Sequence, residues 1–207
     1  MPSIGHQEPI SSSSDFNAQS FLIWSILSGL ATCTMVKVVA VTNSGADAPA
    51  GYVDILPLVN QIDGAGNVIK HAVIYKCPYF RLIGGANAVI LDPQVGDIGL
   101  ACFASRDISA VSATQDQAPP GSRRMFDMSD GMYVGGFFGQ ATAQCLRFAS
   151  DGVHVKSNIA FIVDAPAIQL NGNVTSTGTF TNNSVNIGST HVHGGVQAGA
   201  ANSAVPH

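Results

Sequence analysis

His191-Val192-His193 is the sharpest chemical pattern in this chain. In an extended strand, residues i and i+2 project to the same side, so both imidazoles can face one point. Two nitrogens are too few for zinc, which takes four ligands, or for an octahedral ion, which takes six. Around a threefold axis, two from each of three chains make six. That set suits an octahedral ion such as Fe(II), Ni(II) or Co(II) better than tetrahedral zinc. Gly188, Gly194 and Gly195 would let the backbone turn tightly beside the pair. Taken alone, His-x-His is also a common chance pairing. His6, His71, His154 and His207 have no comparable setting, and His154 is expected to pack or to face solvent.

Other reactive side chains read more plainly. Cys33, Cys77, Cys102 and Cys145 are widely spaced and form no CxxC pair, which argues against a zinc ribbon. Each sits in or beside an apolar run, so buried free thiols made in a reducing cytoplasm are expected. Arg123-Arg124 could hold an anion, but beside Asp127 and Asp130 the pair reads as a salt-bridged surface. A metalloenzyme built on His191 and His193 is the weaker reading. The chain has no His-Glu-x-x-His, and no general base lies near the pair. Six histidines would also leave no open coordination position for a substrate.

The elements that must carry these groups are mainly β. A polar, Ser-rich arm covers residues 1–14. An amphipathic helix is expected over 16–28, capped by Asp15 and ended by Gly29. Its apolar run falls far short of the roughly 20 residues of a membrane span. No Lys or Arg precedes Lys37, so the charged start of a signal peptide is missing. Leu30-Ala31-Thr32-Cys33 is a poor lipoprotein processing site, because Thr32 fits badly before the cysteine. Strands are expected at 35–42, 52–59, 68–75, 80–83, 88–91 and 99–104, with glycine turns between them. Five or six short strands without intervening helices point to a small closed barrel of the OB type, not a parallel α/β sheet. Residues 107–132 read as a loop or linker, and 152–156 as one further strand.

Composition shifts near Ser157. From there to His207 the chain has no Lys or Arg, and Asp164 is its only acidic residue. Residues 168–180 alternate apolar and small polar side chains, the period of a strand. So short and glycine-broken a strip cannot bury its apolar face alone and needs copies of itself. Three chains winding round one axis as a β-prism would satisfy it. The whole chain agrees: only 11% of its residues are charged, against about 25% in a typical soluble protein. Much of its surface is therefore expected between subunits. A net charge of −4 argues against a nucleic-acid partner.

The tail Ser189-Thr190-His191-Val192-His193-Gly194-Gly195-Val196-Gln197 resembles the apex motif of the central spike proteins of contractile-tailed bacteriophages and R-type pyocins. Asp92-Pro93-Gln94-Val95-Gly96-Asp97-Ile98-Gly99-Leu100 resembles the late barrel segment of that family. Pro119-Pro120-Gly121-Ser122-Arg123-Arg124 and Phe126-Asp127-Met128-Ser129-Asp130-Gly131 are similar to its linker. The likeness runs from about Phe16 to Gln197. It implies a homotrimer with an OB barrel docked on the baseplate hub protein, a triple-stranded β-helix shaft, and an apex. There one Fe(II) per trimer would be held by six histidines, His191 and His193 of each chain. The expected parts are an arm and helix at 1–30, the barrel at 31–112, a linker or neck at 113–148, the shaft at 149–188 and the apex at 189–207. Such a protein would be made in the host cytoplasm and carried at the tail tip of the virion. It would pierce the host outer membrane transiently and have no catalytic residues, nucleic-acid partner or small-molecule substrate. A trimeric adhesin is the other alternative. Adhesins expose aromatics for ligand contact, yet after Phe161 only Phe180 remains.

Overall fold

The computed structural model describes residues 12–45, 48–63, 66–139, 141–188 and 199. The chain divides into two compact units, Met1–Val155 and Lys156–His207. The first unit contains α1 (Asp15–Ser28), β1 (Cys33–Thr42), β2 (Tyr52–Pro57), β3 (Gln61–Ile62), β4 (Val68–Ile69), β5 (Ile74–Pro78), β6 (Leu82–Gly84), β7 (Asn87–Val89) and β8 (Ile98–Phe103). After these come α2 (Ser109–Thr114), a 3-10 turn (Met128–Asp130), β9 (Gly131–Phe138), β10 (Cys145–Ala149) and β11 (Gly152–Lys156), whose last residue opens the second unit. That unit also holds β12 (Thr181–Asn182) and β13 (Val185–Asn186).

The protein is mainly β, with antiparallel pairing in its sheets. Its principal sheet has the order β5-β2-β1-β8-β9. The β-branched run of β1 makes it the centre. It pairs with β2 on one side, Val36 opposite Pro57, and with β8 on the other, Val36 opposite Gly99. The two edges of this sheet also meet. Tyr79, just past β5, forms a parallel bridge with Tyr133 of β9, and the Phe80 amide donates to the Tyr133 carbonyl at 2.8 Å. Alternate residues point inward to a small core of Val36, Val38, Val53, Ile55, Cys77, Tyr79, Ala101, Phe103 and Tyr133.

Two backbone details shape the sheet. A side chain at position 99 would press into the Gly135 carbonyl and the Tyr133 hydroxyl, so Gly99 is what lets β8 and β9 approach. In β5, Lys76 takes a left-handed φ of 56°. Its amide is caught by the Asp54 carboxylate at 2.9 Å, where the β2–β5 register shifts.

Several expectations change. The strand expected over 68–75 is two pieces, β4 and β5, the second running on to Pro78. The fifth strand of the sheet, β9, lies in the span read as linker, and α2 and the 3-10 turn lie in the stretch read as loop. The cap of α1 is Ser14, whose hydroxyl oxygen accepts from the Asn17 amide at 3.2 Å; Asp15 is instead the first helical residue, favourable beside the helix N-terminus. Nor is α1 amphipathic. Leu22, Ile23, Trp24, Ile26 and Leu27 spread over more than half the circumference of a helix with 3.6 residues per turn, and each is at least half exposed.

Candidate functional site

His191 and His193 lie outside the described residues. The described chain leads toward them through the β12–β13 hairpin, in which Thr181 pairs with Asn186 and Asn182 with Val185. The connecting residues Asn183 and Ser184 both have positive φ, 50° and 66°. That matches the two-residue turn whose twist suits a hairpin. Outside the ladder, the Ile187 amide donates to the Phe180 carbonyl at 2.8 Å, and the Gly188 amide to Oδ1 of Asn186 at 2.9 Å.

The strip ahead of the hairpin departs from its expected form. Residues 157–180 make no strand within their own chain. A strand needs a neighbour to satisfy its backbone N–H and C=O groups, and one copy offers this strip none. Its apolar side chains are correspondingly uncovered: Ile159 is 83% exposed and Ile162 76%. Phe161, Ile168, Leu170 and Val174 are each more than 60% exposed. Rows of large apolar groups this exposed are uncommon on the surface of a soluble monomer.

In the first unit, Arg124 carries out part of what the sequence suggested. Its guanidinium reaches Oδ1 of Asp130 at 3.1 Å and Oδ2 of Asp107 at 3.0 Å. Asp127 takes another role and accepts from the Ser129 amide at 2.8 Å to cap the 3-10 turn. Asp107 is buried, and its carboxyl is held down to about pKa 2. The causes are hydrogen bonds from the Ser109 and Ser122 hydroxyls and the Ser109 amide, then the nearby charge of Arg124. This cluster pins the segment after α2 to the residues just before α2 and to the 3-10 turn that leads into β9. Beside it lies an open cleft of about 390 Å³, lined in part by Tyr75, Lys76, Ser112 and Arg124. Both carboxylates of the cluster are already engaged by Arg124 and by backbone amides, Asp130 accepting from Ile108 at 3.2 Å and Asp107 from Ser109 at 2.9 Å. The cluster is an anchor.

Sequence reasoning missed a second anchor. Arg81, almost wholly buried, grips Asp92 through two nitrogens at 2.6 and 2.7 Å. It also donates to the Ala48 carbonyl at 2.5 Å and lies over the Tyr79 ring. The hydrogen bonds from Arg81 hold the Asp92 carboxyl below its ordinary value. A lone Arg in a β-rich stretch was the only available signal.

The cysteines are also corrected. Only Cys77 is buried; Cys33 is exposed, and Cys102 and Cys145 are half-buried. Cys33 opens β1 on the outer side of the sheet, opposite in parity to Val36 and Val38. His154, in β11, faces Oδ1 of Asp151 at 3.1 Å on the surface. Among the described residues, no group of three or more His, Cys, Asp or Glu is placed to hold a metal ion. No protein-family model matches this chain, and no curated protein matches it.

Proposed function

We propose that this chain is the central spike of a contractile tail baseplate, a homotrimer that pierces the host outer membrane. The observation that carries this reading is the uncharged strip from Ile168 to Phe180, whose apolar side chains its own chain leaves uncovered and whose backbone it builds into no strand. Three copies wound together would supply each strip with backbone partners and a dry seam. No chain in such a shaft can leave without unwinding from the other two, which suits a needle under axial load. A tip free of Lys and Arg also lowers the desolvation cost of entering lipid.

The first unit is read as an OB-type barrel docked on the hub protein. Support comes from the strand order β5-β2-β1-β8-β9 and the parallel bridge joining its two edges. At the apex, His191 and His193 from three chains would hold one Fe(II). Six neutral imidazoles fit an octahedral ion of that kind, and the metal would pin three chain ends where apolar area is smallest.

Sedimentation equilibrium with elemental analysis tests the reading. The expected result is a mass of three chains carrying one iron. A monomer at micromolar concentration would overturn it.

A further inference from the structure

Cys33 and Cys102 face each other across β1 and β8. The Phe103 amide donates to the Thr32 carbonyl at 2.8 Å. Residues 32 and 103 are therefore the hydrogen-bonded pair, and the two cysteines form the adjacent non-hydrogen-bonded one. In such pairs the Cα atoms stand about 4.5 Å apart and the side chains come closest. That spacing lies within the roughly 4.4–6.8 Å that a disulfide spans. The Sγ atoms of Cys33 and Cys102 already stand 3.2 Å apart and share a thiol hydrogen bond. Both lie on the outer side of the sheet, since Val36, Ala101 and Phe103 take the inner one. The remaining thiols are placed differently. Cys77 is buried, which pushes its pKa up to about 11 and keeps it from forming the reactive thiolate. Cys145 belongs to β10, in a separate two-stranded sheet.

We infer that Cys33 and Cys102 form a redox site that closes to a cross-strand disulfide when the chain meets a low-molecular-weight disulfide. Cys33, the exposed member, loses its proton to water and attacks one sulfur of the oxidant, displacing one small thiolate. The mixed disulfide on Cys33 is then attacked by the Cys102 thiolate, and the second small thiol leaves. Two protein thiols thus give up two electrons and two protons, and the oxidant's S–S bond takes them up as two thiols. The hydrogen bond with Cys33, followed by partial burial, raises the Cys102 thiol pKa. The hydrogen bond is lost once Cys33 is capped, so Cys102 acts second. This site stands independently of the spike reading.

The test treats the full-length chain with oxidised glutathione at about pH 8, near the usual thiol pKa. Acid quenching, alkylation and peptide mapping follow. The expected product is an intrachain Cys33–Cys102 linked peptide, lighter by two hydrogens. Its yield should be at least about tenfold higher in the native chain than in urea, because the fold supplies the proximity. Cys102→Ser should instead trap glutathione on Cys33. Should that variant misfold, the map of the unaltered chain still decides. Glutathione persisting on Cys33 of the unaltered chain would overturn the inference. So would recovery of both thiols free, or a link to Cys145 or to another chain.

Discussion

Asp107 gives the fold a defined weakness toward acid. Its carboxyl sits at about pKa 2 in the folded chain, whereas an unfolded Asp titrates near 3.9. The group therefore contributes stability that is complete above about pH 4 and is lost as pH falls through about 2. Asp107→Asn is expected to lower stability at neutral pH and to flatten the acid limb of a urea-denaturation series. An unchanged slope between about pH 4 and 2 would remove Asp107 from that role. Single residues were unevenly legible. Arg124 and Asp130 are close in sequence, so their pairing could be read. Cys33 and Cys102 are separated by 69 positions and meet only through the register of β1 and β8. Asp107 lay in a stretch read as loop, where nothing marked it as buried.

At the level of elements, β1, β2 and β8 were legible as short runs rich in Val, Ile and Leu set off by turn residues. β5 was blurred because Lys76 breaks the alternation with a left-handed residue. Gly131, Gly135 and Gly136 gave β9 the composition of a loop, although Gly135 is where the pairing with β8 shifts register. Truncation exposes the difference. A chain ending at residue 130 lacks β9 and should not fold, whereas one ending at 156 should show native-like strand content by circular dichroism. A cooperative melt from the shorter piece would mean that β9 is dispensable. Within the core, Ile55 is fully buried, so Ile55→Ala should lower unfolding free energy by about 2–5 kcal/mol. Chemical denaturation would register this as an earlier midpoint. The helix α1 buries no residue, so deleting residues 12–28 should leave the sheet's stability nearly unchanged.

For the whole molecule, the proposed trimer makes the metal an end-fastener and not the source of cohesion. The shaft seam would bury apolar surface at roughly 25 cal/mol per Å² along its length, against one ion at the tip. His191→Ala combined with His193→Ala should therefore abolish bound iron and leave three chains together. Native mass spectrometry with metal analysis reads both quantities at once, and iron retained by the double variant would move the site elsewhere. Acid should act similarly, because ligation needs neutral imidazole, whose free pKa is about 6.5. The proposed association surface was legible as a composition nearly without charge; its conformation was not, because a strip that needs partners from other copies would carry no such partners in its own sequence. The bridge between Tyr79 and Tyr133 also governs how the chain comes into being. β1 and β2 leave the ribosome early, but the sheet cannot close until Tyr133 has followed. At the usual elongation rate that delay is on the order of ten seconds. Throughout it, the nascent Val-rich strands present open edges, so this protein is expected to depend on chaperone shielding during its own synthesis.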